Sequence, residues 1–502
     1  MIGRVLKDRL AAWSLNPVMI KELRQLVRSR FMSSIFLLVL AVLATATGIF
    51  LAARSINELL NPSRGMEGGQ VLFSILLTVL DVGCLVFIPA YVGIRLTAER
   101  SDSNVDLLFI TALTPGAILR GKFYAGLALV GLIFSACVPF MAFTYLLRGI
   151  DMGGIFLTLL YVFLQVAVAL QLGLFVGALP VSKPFKTVLG LLALLGVFAG
   201  PVSLSVMSLS MSGGAGASSF WPSTRVILVT ITIALSIIWL LHTLAAAFLS
   251  PPASNRAFPV RFAVTVIWAL GGAGAAWCVH TASEKELILI WLVPSMLLCS
   301  LAAAIAVSER TVLGPRIAHA IPRSRVLRLL AFPFYTGMAS GLFWVGLIAA
   351  LTLVGGHVVR IVVPGKSGDL KEGLLILETV FLYVLAYSLT AFAFGRRFMK
   401  RLVAAGRTWL LVLIMISLGA LVPSLVGIFF FKALPERAWE PARLGVWQMG
   451  SIFGVFDETY RPAHLRLAAI WVALAFLFCV RSIWRQMRAF RPTREASDSI
   501  AS

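Results

Sequence analysis

Long apolar runs broken by short polar interruptions organise the whole chain. Crossing roughly 30 Å of hydrocarbon takes about 20 apolar residues in a helix that rises about 1.5 Å per residue. Runs of this kind recur near 31–53, 71–94, 123–147, 154–179, 187–208, 226–249, 262–280, 287–307, 332–355, 373–394, 409–431 and 464–480. The pattern predicts twelve membrane-spanning helices and an all-α polytopic membrane protein in a lipid bilayer. A barrel is excluded, because runs such as Val188–Phe198 lack the apolar/polar alternation of a barrel strand. Each span must be helical, since inside hydrocarbon every backbone N–H and C=O has to bond within its own segment.

Composition sharpens this reading. Of 502 residues 60% are apolar and only 13% charged, which excludes a soluble globular fold. The 43 Lys and Arg against 21 Asp and Glu give a net charge of +22. In a soluble chain that balance suggests nucleic acid; here insertion accounts for it, because short cytoplasmic loops retain Lys and Arg, and no nucleic-acid partner is expected. Thirty of the 43 lie on the side of the amino terminus, so both termini are expected in the cytoplasm. The first run shows no convincing cleavage site after it and reads as an uncleaved span. The longest segment outside the bilayer, Lys432 to Ala463 on the outer side, is too short for a catalytic domain, so any soluble machinery must come from another chain.

The organisation expected is a cytoplasmic segment 1–30 with an interfacial elbow helix, a six-helix half over 31–260, a second over 261–484, and a basic cytoplasmic tail over 485–502. In the elbow, Asn16 and Pro17 read as N-cap and first-turn proline. Ile20, Leu23, Leu26 and Val27 then share one face, with Lys21, Glu22, Arg24, Gln25 and Arg28 on the other. Such a helix lies along the inner membrane surface. The competing reading is a solvated basic flank with incidental amphipathicity.

The most informative segment is the cytoplasmic loop 97–122, charged at first and then amphipathic. Together with Asn16, Pro17, Lys21 and Glu22, its residues Glu99, Arg100, Asp106, Leu107, Leu108, Thr114, Pro115, Gly121 and Lys122 make the chain resemble the permease subunits of ABC-2 exporters. That family has an Asn-Pro-x-x-x-Lys-Glu elbow before the first span and a Glu-Arg...Asp-Leu-Leu...Thr-Pro...Gly-Lys stretch after the second. The likeness is specific over 16–150 and rests on hydropathy elsewhere. It implies a bacterial inner-membrane subunit moved by a separate ATPase, two copies per transporter, which binds the ATP and magnesium while this chain carries no cofactor. It also implies that residues 99–114 dock into a groove of that ATPase. Physically, Leu107, Leu108 and Ile110 can plug a groove while Glu99 and Asp106 meet basic residues there; the plainer reading is an interfacial turn whose charges are solvated.

Family members commonly have six spans and pair, so twelve implies either a fused pair in one chain or an unrelated extension. Ser308-Glu309-Arg310-Thr311 echoes Ala98-Glu99-Arg100-Ser101, but the second half has no matching elbow.

Other features point to no chemistry on this chain. Gly116 to Lys122 imitates a phosphate-binding loop, but Phe123 stands where a hydroxyl would hold magnesium and no strand precedes it. The five cysteines lie in apolar runs without paired spacing, and the five histidines are scattered, so no metal site and no catalytic residue is expected. Asp81, about ten residues into the second span, is costly there unless it faces water, a partner or a proton. It marks either a translocation path or a structural hydrogen bond. Gln165 and Gln171 read as links between helices. An ATP-independent secondary transporter or channel is the main rival function, and it would call for more intramembrane charge.

Overall fold

The computed structural model describes residues 17–60, 68–101, 114–147, 152–182, 184–193, 196, 224–251, 253–282, 284–309, 313–363, 368–404, 406–431, 450–456, 458 and 460–492. All regular structure among them is helical, and ten helices are long and apolar enough to cross a membrane. The protein is an all-α polytopic membrane protein. Its chain separates into two units, Met1–Pro251 and Pro252–Ser502.

The first unit begins with α1 (Pro17–Arg28) and α2 (Arg30–Leu60). α3 (Gly68–Val82) runs through a π turn, Gly83–Phe87, into α4 (Ile88–Ser101), making one continuous rod. α5 (Pro115–Leu146), α6 (Met152–Ala178) and α7 (Thr224–Leu249) follow. Leu72, Leu76, Leu80, Ile88, Leu119, Val130, Val166 and Leu170 form the interior, where α3 to α6 meet. Outward faces remain apolar, with Ile49, Leu132 and Phe156 exposed, as a lipid solvent requires. Lipid tails are as apolar as leucine, so close packing rather than water exclusion selects the helix contacts, and small residues allow it. α4 and α6 show this most clearly. A Cβ on Gly93 would lie 2.7 Å from the carbonyl oxygen of Gly173, and one on Gly173 would lie 2.5 Å from that of Pro89.

The second unit runs from α8 (Ala257–Ala282) through the 3-10 turn Lys285–Ile288 into α9 (Leu289–Ala306). Two short helices, α10 (Pro315–His319) and α11 (Arg325–Ala331), and the 3-10 turn Phe332–Phe334 lead to α12 (Met338–Val362). α13 (Gly368–Phe398), α14 (Lys400–Ala404), α15 (Thr408–Phe431) and α16 (Arg461–Ala489) complete it. Met338, Leu389, Phe392, Val412 and Cys479 pack between α12, α13, α15 and α16. Several buried polar side chains here find partners, although Thr408 Oγ1 has none. Tyr383 Oη lies 2.8 Å from His464 Nδ1, Trp471 Nε1 donates to Thr390 Oγ1 at 3.0 Å, and Tyr387 Oη donates to the Gly450 carbonyl at 2.6 Å.

Ten of the twelve expected runs coincide with these long helices. The expected span at 187–208 lies largely outside the described residues, where only a short apolar helix, Pro184–Ala193, is described, and the one at 409–431 corresponds to α15, apolar over Thr408–Pro423. Several boundaries differ from the hydropathy reading, and two of them bear on the site described below. α4 continues to Ser101 and α5 starts at Pro115, so both helices extend beyond their apolar runs into polar sequence. Backbone hydrogen bonding and capping, not hydrophobicity, end a helix.

Candidate functional site

The start of α5 is built by its own sequence. Thr114 is its N-cap, in extended conformation, with a side-chain oxygen that accepts from the Ala117 amide at 3.3 Å. Pro115 takes the first helical position, where the missing N–H costs nothing. Two turns on, Gly121 lets α1 approach, since a Cβ there would sit 2.8 Å from Val18 Cβ. Lys122, next in line, is thereby carried into the seam between α1 and α5.

There Lys122 is 4% exposed, and its Nζ donates to Glu22 Oε1 at 2.7 Å and to Glu99 Oε1 at 3.0 Å. Three separated segments converge on one ammonium: the helix before the first span, the end of the second and the start of the third. Arg95 extends the cluster on α4. Its Nη2 donates to Gln25 Oε1 at 2.5 Å, and it stands 4.0 Å from Glu22 Oε2. One turn away Tyr91 donates to Ser29 Oγ at 3.2 Å and stacks on Phe31, fixing the corner between α1 and α2. A buried ammonium is tolerable only when paired and hydrogen-bonded, and two carboxylates meet that condition.

One residue departs from the expected division of the elbow: Glu22, placed on its polar face, is buried with Leu26 and the half-buried Met19 and Leu23, while Ile20 and Val27 remain exposed on the apolar side. The pairing with Lys122 outweighs the simple division of the helix into apolar and polar halves. Lys21 stays exposed. Asn16 lies outside the described residues, as do Asp106, Leu107 and Leu108; Pro17 opens α1 and Arg100 lies in the last turn of α4. The structure therefore brings together Glu22, Glu99 and Lys122, with Thr114 and Pro115 setting the helix that delivers the last of these.

Asp81 is 2% exposed, two residues before the π turn, and its Oδ1 has no hydrogen-bond partner; the fully buried amide of Gln171 on α6 has none either. The link between helices expected of Gln171 is not formed, nor is the structural hydrogen bond that is one of the two readings of Asp81 formed at Oδ1. A π turn widens the helix by one residue and recurs at functional sites. Among the described residues no group of three or more His, Cys, Asp or Glu could hold a metal ion.

The second unit holds a comparable ion pair that the sequence signals only faintly. Arg261, at the start of α8 and 6% exposed, pairs with Glu309 just beyond α9. Its Nη1 also donates to the carbonyls of Pro333 at 2.8 Å and Tyr335 at 2.7 Å, while Glu309 Oε2 accepts from the Gly337 amide at 2.6 Å. Asn255 adds a bond to Phe334 O and takes one from the Thr336 amide. Glu309 was visible as an echo of Glu99; Arg261 was hidden, being a lone charge at the edge of an apolar run. Compared with family models, with curated proteins and with solved structures, the chain matches none.

Proposed function

We propose that this chain is the membrane subunit of an ATP-driven transporter of the ABC-2 type, an exporter in a bacterial inner membrane with both termini cytoplasmic. A separate ATPase subunit, in two copies per transporter, supplies nucleotide hydrolysis and binds ATP and magnesium. This chain contributes passage and coupling, and no bond chemistry. The observation that carries the reading is the convergence of Glu22, Glu99 and Lys122 on one buried contact. The segment 102–113 joins α4 to α5 at that contact, so a partner that grips the segment through Asp106, Leu107 and Leu108 pulls on the elbow and on two spans together. Glu99 then belongs to the lever rather than to the docking surface, with Arg100 beside it.

Purifying the tagged chain in mild detergent tests this. An ATPase should accompany it, and Asp106→Lys should release that partner while leaving the chain folded. Recovery of the folded chain with no ATPase, together with transport unaffected by Asp106→Lys, overturns the proposal.

An ATP-independent transporter is the second reading, and Asp81 is what favours it: a buried carboxylate with an unpartnered oxygen beside a π turn. Under that reading reconstituted chain alone should transport in response to an ion gradient, and Asp81→Asn should abolish the response.

A further inference from the structure

We infer that α11 and the turn after it form a docking surface for the anionic headgroups and outer acyl layer of the inner membrane leaflet. The base of this surface is built and rigid. Arg261, Asn255 and Glu309 bond the backbone over 333–337, Tyr335 Oη donates to the Ala320 carbonyl at 2.6 Å, and Ile317, Ile321, Tyr335 and Phe490 pack beneath it. On that base α11 buries none of its seven residues. Val326, Leu327, Leu329 and Leu330 are 58–70% exposed. At about 100° per residue these four lie on one side of the helix, with Arg325 and Arg328 on the other.

Charge identifies the occupant. The segment 313–337 carries Arg316, Arg323, Arg325, Arg328 and His319 and no acidic residue, whereas 97–122 carries Glu99, Asp102 and Asp106 against Arg100, Arg120 and Lys122. The one acidic residue between the two spans, Glu309, is taken up by Arg261, which leaves the amphipathic stretch 313–337 basic and suited to an anionic bilayer surface. A mixed-charge loop suits a protein groove. The inference takes from the proposed function only that this loop is cytoplasmic.

The test uses the full chain with Cys278→Ser, the one native cysteine that is not buried. Leu330→Cys, on the apolar face of α11, or Ser324→Cys, at its N-cap and off that face, is labelled with bimane, and the protein is placed in nanodiscs with brominated acyl chains. The discs are of phosphatidylcholine alone or of phosphatidylcholine with phosphatidylglycerol. With phosphatidylglycerol present, quenching at 330 should be at least about twice that at 324, and joint replacement of Arg316, Arg323 and Arg325 by Gln should remove the excess. Each arginine near an anionic surface is worth about fivefold in partitioning. These three side chains are exposed, so the variant should melt like its parent. Equal quenching at the two sites, or quenching indifferent to phosphatidylglycerol and to the arginines, overturns the inference. Protection of site 330 only when an ATPase is added also overturns it, in favour of a protein groove. Nanodiscs offer the same lipid on both sides and need no ATPase, so the result stands apart from transport; impermeant labelling of the Leu330→Cys variant in intact cells reads the sidedness separately.

Discussion

Lys122 Nζ lies 2.7 Å from Glu22 Oε1, although 100 positions of chain separate the two residues. The contact ties a helix that precedes the membrane domain to one in its middle, and it is shielded, with side-chain exposures of 4% and 8%. Lys122→Met should therefore destabilise the protein by about 3–5 kcal/mol, the cost of a buried carboxylate left without its partner. Adding Glu22→Gln should recover much of that loss. Thermal unfolding of the single and double variants in detergent measures both, and additive losses would show that the two groups do not interact.

Thr114 offers a smaller and more local effect. Thr114→Ala removes the acceptor for the Ala117 amide and should cost about 1 kcal/mol, whereas Thr114→Ser should be nearly silent. Hydrogen exchange in the first turn of α5 should accelerate in the alanine variant alone.

Arg261 supports its surroundings through geometry as well as charge. Its fork reaches Glu309 and two carbonyls at once, which a lysine cannot reproduce. Arg261→Lys should lower the melting temperature, and Arg261→Gln more so. Limited proteolysis should then cut between 310 and 337 first, and an unchanged digestion pattern would count against the brace.

At Asp81 stability and function should part. Asp81→Leu removes a buried acceptor that has no partner and should leave stability unchanged or raise it, by about 1–3 kcal/mol. Transport should fall. A stable variant with full transport would make Asp81 a bystander.

The spans were readable from hydropathy because an apolar run is itself the requirement for crossing, as at α12 and α13. Thr114 and Pro115 carry their role as cap and first helical residue locally, although the sequence reading takes them only as part of the coupling motif. Glu22 could not be read in this way. Its burial depends on Lys122, and a window that weighs each residue alone counts a buried ion pair as two solvated charges. The same blindness hid Arg261 and the bond between Tyr383 and His464. The π turn after Asp81 leaves no mark in hydropathy either, since it adds one residue to a coil without altering the apolar pattern.

The glycine contact between α4 and α6 has a mechanical meaning. Where backbone meets backbone, as at Gly93 against Gly173, no rotamer can yield and nothing cushions the joint. Under the proposed coupling, a pull on the Glu99 end of α4 would therefore be passed to α6 through backbone contact rather than taken up by side chains.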